Sequence, residues 1–200
     1  MKQIPAPVWG KHIYRGYVGF SNCVGNLISE GITWFENLEE SMKYGADLLD
    51  GGISHVFFVW DENWGIESAE KGVQFFALRA RIADPDLRIV FRAPEKMDAT
   101  YLHQLLTAAR SKEGKPYDYT GLVGYILKVI SPLHHIFPWL NKLPIPLNLG
   151  GEFCSAYVSD CQKATDLYRG LMLFRDYHVT RISPNMLWNR FPWKPLHFDE

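Results

Sequence analysis

"HVFFVWDENWGIESAEKGVQFFALRARI" (residues 55–82) decides the fold class. Its first six residues, His55 to Trp60, are apolar, aromatic and β-branched and run into Asp-Glu-Asn, the pattern of a buried strand closing into a turn. "GIESA" and "GVQFFALRARI" carry the strand pattern onward, with turn residues from Glu70 to Gly72 between them. The expectation is an antiparallel meander over roughly residues 53–92. Downstream the periodicity changes. Asp98 stands where an N-cap belongs, ahead of "ATYLHQLLTAARSK", and Gly114 and Pro116 stop that helix. "YTGLVGYILKVI" reads as a second apolar helix, and "CSAYVSDCQKA" as the start of a third over 154–168. The first 50 residues give mixed signals, with one helical candidate at 37–49. Strands come early and helices late without βαβ alternation, so the class is α+β, an antiparallel sheet with packed helices.

A chain of 200 residues that is 47% hydrophobic suffices for one domain spanning 1–200. The formal net charge of −1, without a long like-charge run, removes the electrostatic case for nucleic acid. No apolar run is long enough for a membrane span: "LVGYILKVISPLHHIFPWL" is interrupted by Lys128, Pro132 and two histidines. The N-terminus lacks the apolar core of a signal peptide, so a cytoplasmic protein is expected. The segment at 128–148 is an apolar, proline-rich insert, long for a loop and of the kind that forms lids.

Three cysteines, an odd number, argue for reduced thiols. Cys154 follows "GGEF" at the mouth of the third helix, over unsatisfied backbone N–H groups and the positive end of the helix dipole. That setting favours a thiolate. Cys161 lies two turns on, about 10.5 Å away along a straight helix, beyond the roughly 7 Å that a disulfide spans, and reads as a small core residue. A thiol nucleophile needs an imidazole to hold its proton. Of seven histidines, His12 and His197 lie near the termini, His103 is mid-helix, His134 and His135 are adjacent, and His178 opens the short run "HVTRI". His55 differs in opening an apolar strand, which is a rigid mount for a base. Glu67, on the next strand across the turn, could reach His55 as a cross-strand neighbour; the register is not fixed by the sequence, and Glu62, Glu70 and Gln74 are rivals for the same role.

The succession "SHVFFVW", "GIESAEKGV", "GKPYDYTGL", "EFCSAYV", "RISPNMLW" resembles the circularly permuted papain-like cysteine hydrolases of the NlpC-related superfamily. YiiX-like proteins are the nearest relatives by this pattern, and lecithin–retinol acyltransferases are more distant. The resemblance covers residues 53–187. It implies a papain-like fold and a nucleophile at Cys154, a base at His55, an orienting residue at Glu67 and a site tyrosine at Tyr119. It implies no metal and no cofactor, and a peptide, amide or lipid-acyl substrate attacked by the thiol. Two features depart from the family pattern: the usual Gly-Asp pair ahead of the histidine is absent, and Phe57 stands where a small residue is common. Two other classes are weighed beside it: a catalytically silent papain-like binding or structural protein, and a metal module using Cys23, Cys154, Cys161 and histidines. The second lacks any C-x-x-C pair, and no G-x-S-x-G supports a serine nucleophile.

Overall fold

The computed structural model describes residues 8–23, 52–119 and 153–195. Five strands form one antiparallel sheet: β1 (Val18–Cys23), β2 (His55–Val59), β3 (Trp64–Ala69), β4 (Gly72–Ala77) and β5 (Leu87–Arg92), in spatial order β4-β3-β2-β1-β5. The helices are α1 (Leu78–Ile82), α2 (Ala99–Arg110), α3 (Cys154–Lys163), α4 (Met172–Asp176) and α5 (Pro184–Arg190), with a 3₁₀ turn at Val179–Arg181. The α+β class stands. The helix expected at 37–49, the apolar helix after Tyr119 and the insert at 128–148 lie outside the described residues.

Strand β2 is apolar at consecutive positions because both of its faces are covered. Val56 and Phe58 point into the larger core, with Val18, Phe20, Tyr157, Val158 and Trp188. Phe57 and Val59 point the other way, into a smaller cluster with Ile13 and Leu78. The turn into β3 is set by Asp61, whose carboxylate accepts from the backbone N–H of Asn63 at 2.8 Å and of Trp64 at 3.0 Å. The β3–β4 turn needs its glycine: Gly72 has φ +92°, and a Cβ there would lie 2.2 Å from the Lys115 carbonyl. That carbonyl accepts from Val73 N–H at 2.8 Å, so the chain after α2 partly covers the β4 edge.

Two features differ from the meander expected over 53–92. Strand β4 ends at Ala77, and "LRARI" turns into α1 rather than prolonging the strand. The N–H of Leu78 is captured by the Asn63 carbonyl at 2.8 Å, and Leu78 buries in the smaller cluster. Strand β5 then crosses to the far edge, where it pairs with β1 from Val18↔Arg92 to Cys23↔Leu87. The pairing partner of β5 is thus a strand from the first 50 residues.

Helix α2 is capped as expected, Asp98 accepting from Tyr101 N–H at 2.7 Å. It buries Tyr101, Leu105, Leu106 and Ala109. Tyr101 donates to Gln162 Oε1 at 2.9 Å, and Tyr157 donates to the Ala109 carbonyl at 3.3 Å, tying α2 to α3. Helix α3 is buried along most of its length and packs across β2 and β3. It ends at Lys163, five residues short of the expected 168, where the Thr165 hydroxyl takes the Gln162 carbonyl at 2.8 Å.

On the smaller-cluster face, two glycines stand opposite aromatic rings. Gly19 pairs with Phe57 and Gly65 with Phe76. A Cβ at Gly19 would come within 2.2 Å of the Phe57 ring, and one at Gly65 within 2.3 Å of the Phe76 ring. Each ring therefore lies over its glycine, and the two rings meet edge to face with centroids 5.1 Å apart. We expect Gly19→Ala and Gly65→Ala each to lose about 1–3 kcal/mol of stability through overpacking, readable as a lower midpoint in urea at unchanged m-value. An unchanged midpoint would mean that the rings shift at no cost.

Candidate active site

Three of the residues singled out in the sequence meet at one end of the sheet. His55 opens β2, Glu67 sits inside β3 and Cys154 is the first residue of α3. His55 Nε2 donates to Glu67 Oε2 at 2.7 Å. The Cys154 side chain raises the basicity of the same imidazole, which puts the thiol beside the ring, and with Nε2 engaged on Glu67, Nδ1 is the ring nitrogen left to face the sulfur. Glu67 is 1% exposed and Cys154 6%, whereas the His55 side chain keeps 22% of its surface open. The imidazole is the most accessible of the three.

A buried carboxylate demands compensation, and a residue that the sequence reading passed over supplies it. Arg81, from α1, donates Nη1 to Glu67 Oε2 at 2.7 Å and Nη2 to Oε1 at 2.8 Å, a bidentate pair. Its guanidinium lies over the Phe76 ring at 4.1 Å and near the Phe57 ring at 5.9 Å. These are the two rings that the cross-strand glycines accommodate. The clue lay in composition rather than period: once Glu67 is taken as buried, a cation is required, and Arg79 and Arg81 are close in sequence. Arg79 instead pairs with Glu62 at the surface.

The remaining candidates fall elsewhere. Of the rivals to Glu67, Glu62 is committed to Arg79, Glu70 is exposed, and Gln74 stands directly opposite Glu67 in the β3–β4 register. Tyr119 is 53% exposed, donates to the Glu70 carbonyl at 3.3 Å and packs edge-on against Tyr117 with centroids 4.8 Å apart. Cys161 is fully buried in the larger core, as its spacing suggested. His12 Nδ1 accepts from Val8 N–H, and His178 caps the 3₁₀ turn by accepting from Thr180 N–H. His134, His135 and His197 lie outside the described residues. Among the described residues no group of three or more His, Cys, Asp or Glu side chains is placed to hold a metal. No described helix is long and apolar enough to cross a membrane.

Comparison of the chain with family models, with curated proteins and with solved structures gives no match.

Burial alone would lower the basicity of His55, but the neighbouring Cys154 and Glu67 side chains raise it from 6.5 to about 9. Burial alone would raise Glu67, but His55 and then Arg81 hold it down, from 4.5 to about 2. At neutral pH the pair is thus imidazolium and carboxylate. Such a ring can give a proton to one neighbour while its other nitrogen stays fixed on Glu67.

The pH dependence of stability has a definite sign. The His55 contribution is whole below 6.5 and is lost as pH rises through about 9. The Glu67 contribution is whole above 4.5 and is lost as pH falls towards about 2. Both are complete only between pH 4.5 and 6.5. The melting temperature of His55→Ala should therefore trail wild type most in that window, and the gap should narrow by about pH 10. A gap that does not change with pH would show that His55 is not charged by its neighbours.

Proposed function

We propose that the protein is a cysteine-dependent hydrolase of amide or ester bonds, with Cys154 as nucleophile, His55 as proton carrier and Glu67 as the group that orients His55. The observation that carries this reading is a single imidazole hydrogen-bonded to a buried carboxylate and set beside a thiol at a helix N-terminus, which raises its basicity. We infer a circularly permuted papain-like fold, because the chain delivers histidine strand, acidic strand and cysteine helix in that order.

In the reaction, Cys154 Sγ attacks the carbonyl carbon and its proton is held by His55 Nδ1. Negative charge grows on the carbonyl oxygen, and the backbone N–H groups at the start of α3 are aimed at such charge. Phe153, at the N-cap, offers no side-chain acceptor to them. The imidazolium then passes its proton to the departing amine or alcohol, leaving a thioester on Cys154. Water, deprotonated by the neutral imidazole, attacks the thioester and restores the thiol. Glu67 keeps Nε2–H engaged throughout, so the ring cannot turn away between steps. Peptides, other amides and lipid-acyl esters are the substrate classes that this chemistry fits; it needs no metal or cofactor.

A second reading, a silent papain-like scaffold for binding, is favoured by one observation: Cys154 is only 6% exposed. The two readings separate on the thiol's behaviour. With p-nitrophenyl acetate, the hydrolase should release a burst of p-nitrophenol equal to the enzyme concentration, the mark of an acyl-enzyme. Cys154→Ser should abolish the burst, and His55→Ala should slow acylation by about 10²–10⁴-fold. With an amide substrate, whose amine must be protonated to depart, the acylation rate should fall as pH rises through about 9, where the imidazolium proton is lost. Absence of a burst, with iodoacetamide labelling Cys154 no faster than an ordinary thiol in wild type and His55→Ala alike, would leave the scaffold reading in possession.

A further inference from the structure

Near the opposite end of β2 lies a cavity that the proposed chemistry does not use. Trp60 directly follows β2, five residues from His55, which places the two about 17 Å apart along the extended chain. Beside Trp60 lies an elongated hollow of about 620 Å³, lined by Arg15, Trp60, Leu102, His103, Leu106 and Arg110 among others. None of Cys154, His55, Glu67 or Arg81 contributes to it. Its volume is in the range that holds a small organic molecule, roughly 300–1,000 Å³.

The lining is divided by chemistry. Leu102 and Leu106, one turn apart on α2, supply an apolar wall with the ring of Trp60, which is itself held edge-on by Phe75 at 5.0 Å. Arg15, His103 and Arg110 bring cationic or protonatable groups to the same hollow, and no Asp or Glu lines it. The Arg15 guanidinium rests over the Trp60 ring at 5.4 Å, a cation held by an aromatic face with its N–H edges free of any ion pair among the described residues. Arg110 likewise has no acidic partner among the described residues, in contrast to Arg79, Arg81, Arg169 and Arg175. Lining positions from Ala99 to Ser111 follow α2 for about 18 Å, so the hollow is long as well as two-sided.

We propose that this cavity is a second binding site, for a small amphipathic anion: an apolar body laid along Leu102, Leu106 and Trp60, with a carboxylate or phosphate head engaged by Arg15 and Arg110. Guanidinium groups suit both head groups, since each offers paired oxygens to the N–H fork. An apolar body without charge would forgo the attraction of the two arginines, and a bare anion would leave the leucine wall empty.

The test is calorimetric titration of the full chain with decyl phosphate below its micelle concentration, beside decanoate, decanol and inorganic phosphate. Saturable binding of decyl phosphate or decanoate at one site per chain is expected, with decanol and inorganic phosphate each weaker by roughly tenfold or more. The tighter of the two amphiphiles identifies the head group. The double variant Arg15→Gln/Arg110→Gln alters only exposed side chains and should weaken the chosen anion by roughly tenfold or more while leaving decanol unchanged. Cys154→Ser should bind the anion as wild type does. The proposal is overturned if inorganic phosphate binds as well as decyl phosphate, if decanol does, if the double variant binds unchanged, or if Cys154→Ser loses binding, which would put the ligand at the thiol instead.

Discussion

The Glu67 carboxylate, 1% exposed, is the constraint around which this end of the molecule is arranged. Removing a carboxylate from water costs several kcal/mol unless its oxygens are met by charged donors. Three such bonds reach Glu67, one from His55 at the start of β2 and two from Arg81 in α1. Neither element could be elsewhere. Had "LRARI" continued as a strand, Arg81 would be carried past the carboxylate, and the charge would be left to the imidazole alone. Helix α1 is short and uncapped by any side chain, so its own propensity does not explain it. The ion pair and the burial of Leu78 do.

Arg81 also shapes what Glu67 can do for His55. A carboxylate shared with a guanidinium gives less of its charge to the imidazole than a free one would, while its position is held far more tightly. The arrangement therefore fixes the ring's orientation as well as raising its basicity. The supports beneath Arg81 follow from this. Its guanidinium needs a flat surface, which Phe76 and Phe57 provide, and those rings lie over Gly65 and Gly19. The large ring of Phe57 thereby acquires a physical role, because it is part of the platform. A chain of contacts runs from two glycines without side chains to the hydrogen bond on His55.

Much of this was legible in the sequence, for reasons that the structure makes plain. The β2–β3 hairpin declared itself because His55 to Val59 is apolar on both faces and Asp61 carries its own turn chemistry. Asp98 declared α2 because capping is a local interaction. The His55–Glu67–Cys154 constellation was visible as residue types on the right elements, although the β2–β3 register that brings Glu67 to His55 was not. What stayed hidden depended on distant pairing. Strand β1 is half glycine and polar residues, "VGFSNC", and is a strand because β2 and β5 flank it. Strand β5 reads locally as the next strand of a meander, yet its partner lies some 70 residues back. Arg81 was missed because its segment has strand-like composition and its partner is a buried charge, which no periodicity reports.

The three longer helices show where stability yields to the proposed chemistry. Helix α2 is capped by Asp98 and α5 by Ser183, each side chain accepting from the N–H three residues on. Such a cap is worth about 1 kcal/mol. Helix α3 is the most deeply buried of the three and the one to which both others are packed, yet its N-cap is Phe153, with no side chain to accept those hydrogen bonds. A serine or aspartate at 153 would satisfy an N–H group in the first turn, but it would also place an oxygen beside Cys154 and against the negative charge that the proposed reaction develops. Phe153 instead buries in the protein at 4% exposure and leaves the positive end of the helix to whatever approaches the thiol. In a helix whose only task was packing, that forgone cap would have no counterpart; in the proposed reaction, the same vacancy that weakens the helix end would receive the oxyanion.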